Sequence, residues 1–203
     1  MSEHTLYLFG YGSLVDQVSR VSGCIWPVQL IGFTRAWRHC IDTQWGKVCA
    51  LTIVPNGSAE VTGVLIPVNP AELVELDERE IGYIRRSVGR DDVIGKSFSS
   101  SEPMKVFTYF SERRHLRPGC LEYPIWKSYV EYILARYIEL FGKNASRAFI
   151  QETIGWEAPM LDDRLCPKYP RAEPLSAQMR TIIDESLATA GVSESGLKVS
   201  QSR

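Results

Sequence analysis

The sequence is poor in the features that announce secretion, metal binding or membrane insertion. Its cysteines (Cys24, Cys40, Cys49, Cys120 and Cys166) are odd in number, widely spread and never in a CxxC pair. That spacing argues against a disulfide framework and against a zinc site. His4, His39 and His115 are scattered without ligand spacing, so no metal and no cofactor is expected. The start, Met1-Ser2-Glu3-His4, lacks the basic and apolar regions of a signal peptide. No apolar run approaches the roughly 20 residues that a helix needs to span a bilayer. A formal net charge of -1 leaves no global field to attract nucleic acid or an anionic membrane. Asn144-Ala145-Ser146 fits a glycosylation sequon, which reads as chance in a chain without a secretion signal. The expectation is a soluble cytoplasmic protein with neither a nucleic-acid nor a membrane partner.

What the chain does have is core material. Hydrophobic residues make up 44% of 203 residues, and the length suits one domain plus an extension. Thr5 to Phe9 reads as a short buried strand closed by Gly10, and Val28 to Phe33 as a second. Lys47 to Val54 and Glu60 to Val68 read as a hairpin turning at Pro55-Asn56-Gly57-Ser58. Tyr83 to Val88 and Lys105 to Phe110 are further strands. Asn69-Pro70-Ala71-Glu72 is a helix start: Asn69 caps, Pro70 suits the first position and Glu72 completes a box-like pattern. That helix is expected to run to about Glu78. Pro124 to Phe141 carries apolar residues at helical spacing, from Trp126 and Tyr129 to Leu140, with Gly142 as its C-terminal cap.

A strand-rich run followed by one long packing helix points to an α+β domain, not to a doubly wound sheet. The domain is assigned to residues 1–145 and an extension packed on it to residues 146–203. Prolines at 159, 167, 170 and 174 punctuate the extension, Ser176 to Ala190 looks helical, and the Ser-rich end from about residue 192 reads as disordered. Trp156 and Met160 need somewhere to pack. Asp162-Asp163 is read as surface or salt-bridge residues, since adjacent side chains on an extended chain point apart.

Two strings carry the functional signal. Gly10-Tyr11-Gly12-Ser13-Leu14 follows the first strand directly, and its glycines let the backbone turn sharply and present successive N–H groups to an anion. It is not a dinucleotide fingerprint, because Val15 stands where a third glycine belongs. Gly89 to Ser97 misses the phosphate-loop pattern by one residue and reads as a loop. The second string is Leu76-Asp77-Glu78-Arg79-Glu80-Ile81-Gly82-Tyr83. Asp77 and Glu78 read as a solvated helix end, whereas Glu80 falls where the helix ends and a strand is about to start. There is no recognisable nucleophile elbow.

Taken together, Tyr11-Gly12-Ser13-Leu14 and Glu80 before Gly82-Tyr83 resemble the signature of the γ-glutamylcyclotransferase-like superfamily, in its AIG2-like and ChaC-like forms. The resemblance covers roughly Leu6 to Phe110. It implies a small mixed β-barrel flanked by helices, with a C-terminal helical and irregular extension. It implies a small γ-glutamyl compound as substrate, bound through its α-carboxylate by Tyr11, Gly12, Ser13 and Leu14, with Glu80 as general acid/base. Tyr109 and Tyr123 would line the pocket, although Tyr123 reads equally as a helix-start residue. Oligomeric state and the leaving side of the substrate are left open.

That chemistry suits a chain with neither a triad nor a metal. A γ-glutamyl compound contains its own nucleophile: the α-amino group attacks the γ-carbonyl, a five-membered ring closes and the amine departs. Holding the substrate folded supplies a high effective molarity, and the protein need only move a proton. A glutamate of ordinary pKa, about 4.3, is a weak base, and burial in an apolar pocket is expected to raise it. The alternative is a non-catalytic module on the same fold that binds a small carboxylate or a partner protein.

Overall fold

The computed structural model describes residues 5–19, 26–95, 104–192 and 197–198. The chain divides into two compact units, Met1–Arg35 with Thr52–Arg113, and Ala36–Leu51 with Arg114–Arg203. Residues 146–192 therefore share a unit with the 114–145 segment. Most of the Ser-rich end lies outside the described residues.

The first unit is built on a mixed sheet. Its strands are β1 (Thr5–Gly10), β2 (Trp26–Thr43), β3 (Gly46–Val68), β4 (Tyr83–Val88), β5 (Val93–Ile94) and β6 (Met104–Ser111), in the order β4-β6-β1-β3-β2-β5, with residues 36–43 of β2 and 46–51 of β3 belonging to the second unit. β1 is central: it pairs antiparallel with β3, Leu8 opposite Ile66, and parallel with β6, Leu8 opposite Phe107. The sheet does not close into the expected barrel. β4 and β5 end the path without pairing, and a single 3-10 turn at Arg90–Asp92 joins them. A linker this short keeps the two ends within about 18 Å, so the sheet curls back on itself. β5 has only two residues and spends its pairing on Gln29 and Leu30 of β2.

The expected hairpin at Pro55–Ser58 is also absent. β3 runs unbroken through those residues, which are solvent-exposed, and a cross-strand bond from Gln29 to Glu60 shows β2 alongside. The reversal comes at Gln44-Trp45, where Thr43 Oγ1 accepts from Trp45 N and donates to the Gly46 carbonyl. Gly46 sits at φ 127°, a conformation that side chains avoid. Turn-prone residues in a long strand cost little when their side chains face water and the flanking register is fixed by burial.

Helix α1 (Pro70–Arg79) forms where its start signals are. Asn69 Oδ1 accepts from Glu72 N at 2.9 Å and Glu72 Oε2 accepts from Asn69 N at 2.7 Å, a complete capping box. Leu73 and Leu76 are its buried face.

In the second unit α2 (Lys127–Phe141) is buried from Lys127 to Ala135 and again at Tyr137 and Ile138, while Leu140 is exposed. Helices α3 (Asn144–Gln151) and α4 (Ala177–Thr189) pack on it. α3 is not anticipated by the sequence reading; α4 is, with Ser176 Oγ accepting from Met179 N. Short strand β7 (Ile125–Trp126) pairs in parallel with β9 (Met160–Asp162), which pairs with β10 (Leu197–Lys198), and β8 (Thr153–Ile154) pairs with β2. Trp156 packs edge-on against Trp37 at 5.1 Å, and Met160 is buried.

Asp163 corrects its expected surface role. It is 1% exposed and accepts from Ser128 N at 2.8 Å, Ser128 Oγ at 2.5 Å and Lys168 N at 2.8 Å. The residue preceding α2, Trp126, has no capping side chain, so this carboxylate satisfies a first-turn N–H from outside the helix. Among the described residues no helix is long and apolar enough to cross a membrane.

Candidate active site

The first unit brings the two sequence strings to the same end of its sheet. β1 ends at Gly10, and a bend at Gly12 leads into a 3-10 helix at Ser13–Ser19 whose first turn closes with Val15 N donating to the Gly12 carbonyl at 3.0 Å. A side chain at Gly63 of β3 would put its Cβ 2.3 Å from the Gly10 carbonyl oxygen, so only glycine lets β3 pass this close to the turn. Tyr11 and Leu14 are buried and Ser13 is partly exposed. The opening N–H groups of any helix lack acceptors within it.

Glu80 is the residue that caps α1 at its C-terminus. Its N–H donates to the Leu76 carbonyl at 2.9 Å, and its own carbonyl accepts from Tyr83 N at 3.1 Å. Gly82, at φ 76°, makes that tight exit possible, and its carbonyl accepts from Glu112 N. The backbone of Glu80 is thus held from both sides. Its side chain is 13% exposed and takes a hydrogen bond from Arg79 Nε at 3.1 Å.

Tyr109 of β6 joins the two strings. Its carbonyl accepts the Tyr11 hydroxyl at 2.8 Å, and its own hydroxyl donates to Asp77 Oδ1 at 2.8 Å. The ring packs with Leu8, Leu14 and Leu76, one residue from each of β1, the turn and α1. Burial, then the bond to Asp77 and the charges of Asp77 and Glu80, push its hydroxyl well above the usual phenol range. The hydroxyl therefore stays protonated as a donor. Thr108 adds a second tie to the turn, its hydroxyl donating to the Phe9 carbonyl at 2.9 Å.

Tyr11, Gly12, Ser13, Leu14, Glu80 and Tyr109 all belong to this unit. Tyr109 is only 1% exposed and sits beneath the cluster, not at its surface. Tyr123 belongs to the other unit, where its hydroxyl donates to Asp42 at 3.2 Å and Arg117 lies over its ring at 4.5 Å. Asp77 is exposed, as read from the sequence, and is also the partner of Tyr109; no local signal could have found that contact 32 residues away. Among the described residues no three His, Cys, Asp or Glu side chains gather as a metal cage.

No protein-family model matches the sequence, and no curated protein matches it either. Solved structures do resemble it. A gamma-glutamyl cyclotransferase aligns with a TM-score of 0.54 and 18% identity over 90% of this chain and 99% of its own. An uncharacterized protein from Homo sapiens aligns with a TM-score of 0.53 and 17% identity over 90% of this chain and 99% of its own. YkqA from Bacillus subtilis aligns with a TM-score of 0.52 and 19% identity over 75% of this chain and 57% of its own. At such identities the likeness is one of architecture, and on it the chain has the γ-glutamyl cyclotransferase fold.

Proposed function

We propose that this chain cyclises a small γ-glutamyl compound, releasing 5-oxoproline and an amine, with Glu80 as the proton carrier. The observation that carries the reading is a mostly buried glutamate at the end of α1, a helix whose last turn is tied through Asp77 and Tyr109 to a glycine-bearing turn at the end of β1. The turn at Tyr11, Gly12, Ser13 and Leu14 receives the α-carboxylate through backbone N–H groups. Glu80 takes a proton from the α-ammonium, and the freed amine attacks the γ-carbonyl carbon. As the C–N bond to the leaving group breaks, Glu80 returns the proton to the departing nitrogen. The ring nitrogen gives up a second proton, through the same carboxylate, to the released amine, so the ring leaves as a neutral lactam and the amine as an ammonium. No water is consumed, and no protein nucleophile takes part.

The energetic case rests on two contributions. Because amine and carbonyl belong to one molecule, the closure needs no bimolecular encounter, and effective molarities for such closures reach about 10⁵ M or more. The protein's share is to hold the substrate in the folded conformer where the two meet at about 3 Å. A positioned general acid/base adds a factor on the order of 10² to 10⁴. Two main-chain hydrogen bonds and the Arg79 contact keep Glu80 from wandering, which is what such a carrier needs. Tyr109 contributes as support beneath the turn.

The test is 5-oxoproline release from a panel of γ-glutamyl amino acids, γ-glutamyl amines and glutathione, with Glu80→Gln as control. Release by the natural chain and its loss in a folded Glu80→Gln variant support the reading. Equal release by both refutes the role of Glu80, and silence across the panel moves the chain to the carboxylate-binding alternative.

A further inference from the structure

One side-chain network in the first unit lies outside the reaction just described. Asp77 stands in the last turn of α1, three residues before Glu80. Its Oδ1 accepts the Tyr109 hydroxyl at 2.8 Å, and its Oδ2 faces Arg85 Nη2 at 3.2 Å. Arg85 of β4 and Tyr109 of β6 are directly opposite in the strand register, so one carboxylate spans two neighbouring strands. Arg85 is held in turn by the Phe107 ring, 5.2 Å below its guanidinium. At the other end of Tyr109, its carbonyl accepts the Tyr11 hydroxyl.

We infer that Asp77 is a positioning residue: through Tyr109 it fixes the spacing between Glu80 and the Tyr11–Leu14 turn. The catalytic consequence rests on the cyclotransferase reading; the mechanical part does not. Asp77 touches no reacting atom. It pulls the end of α1 onto β4 and β6, and the same tyrosine that it grips carries the turn on its main chain. The Asp77–Arg85 pair is 40% and 27% exposed, and pairs this open contribute little to stability. A carboxylate with little value as a staple, aimed into the contact between two functional strings, is better explained by geometry than by stability. The sensitivity is large, because a displacement of about 1 Å between reacting groups costs on the order of 10²-fold in rate.

The experiment compares the natural chain with Asp77→Ala, Asp77→Asn and Tyr109→Phe by site-resolved amide hydrogen exchange and by kinetics of 5-oxoproline release. In Asp77→Ala and Tyr109→Phe the amides of Gly12 to Val15 should exchange at least about fivefold faster while distant β3 amides stay unchanged, a local loosening of the turn. Their kcat should fall by about 10- to 100-fold and KM should rise, whereas simple loss of folded protein lowers kcat alone. Asp77→Asn, whose side-chain oxygen still accepts the Tyr109 hydroxyl, should recover most of both. Unchanged exchange in Asp77→Ala and Tyr109→Phe overturns the inference, and so does an Asp77→Asn variant as impaired as Asp77→Ala. If Asp77→Ala fails to fold, Tyr109→Phe, which removes one oxygen atom, decides. If the natural chain releases no 5-oxoproline, the cyclotransferase reading falls while the exchange measurement still settles the mechanical claim.

Discussion

Replacing Asp163 by alanine is the most informative perturbation of the second unit. Its carboxylate, 1% exposed, receives two backbone N–H groups and one hydroxyl, all within 2.8 Å. Alanine leaves the buried N–H of Ser128 and the partly buried N–H of Lys168 without this acceptor. Hydrogen bonds to a charged acceptor contribute about 1.5 to 3 kcal/mol each, and an unsatisfied buried donor costs about 1 to 3 kcal/mol. Partial relaxation and the desolvation regained by removing the charge offset some of this, so a net loss of about 3 to 5 kcal/mol is expected. Against a total stability of about 5 to 15 kcal/mol this is a large fraction. In a chain of this size each kcal/mol shifts Tm by about 2 to 4 °C, so Asp163→Ala should melt about 10 °C lower. Asp163→Asn keeps the volume and one acceptor oxygen and should lose about half as much. Urea unfolding followed by circular dichroism gives the free energy directly. A loss under about 1 kcal/mol in Asp163→Ala refutes the remote-cap account of α2.

Two further outcomes follow from the same contacts. Asn69→Ala breaks the capping box that starts α1 and should cost about 1 kcal/mol by urea unfolding, with Asn69→Asp nearly neutral. The second concerns pH. Burial alone raises the Asp184 carboxyl, but the bond from Arg164 and the charge of Lys127 outweigh it and hold the group below its ordinary value. A depressed folded value means that its contribution is whole above the unfolded pKa of about 3.9 and is lost as pH falls through the folded one. The Tm difference between the natural chain and Asp184→Asn should therefore be widest near neutral pH and close as pH falls through the folded value. A gap independent of pH contradicts the ion-pair assignment.

Local chemistry was legible in the sequence and remote partnership was not. The capping box at Asn69, the end of α1 at Glu80 and the sharp turn after β1 are written within four or five residues, and each forms as read. Pro55–Ser58 has turn composition yet lies within β3, because pairing along a long register overrides a local preference that solvent exposure leaves unpunished. Helix α3 has only Phe149 and Ile150 as large buried residues, too few for a periodic pattern to stand out. Asp77 and Asp163 were both read as surface charges; Asp77 is exposed and Asp163 is buried. Each owes its role to a partner more than 30 residues away, Tyr109 for one and Ser128 for the other, and no window of sequence contains both ends. The same holds for residues 146–192, which supply the cap and the packing surface of α2, so removing them is expected to unfold the second unit.

The central claim is that Glu80 carries the proton in a γ-glutamyl cyclisation. Its most direct measurement is 5-oxoproline release by the natural chain and by Glu80→Gln, both shown to be folded by near-ultraviolet circular dichroism. The account predicts release by the natural chain and a drop of about 10²-fold or more in the variant, the range for losing a general acid/base. Turnover that persists undiminished in Glu80→Gln, or a natural chain that releases none from any γ-glutamyl compound tested, contradicts it.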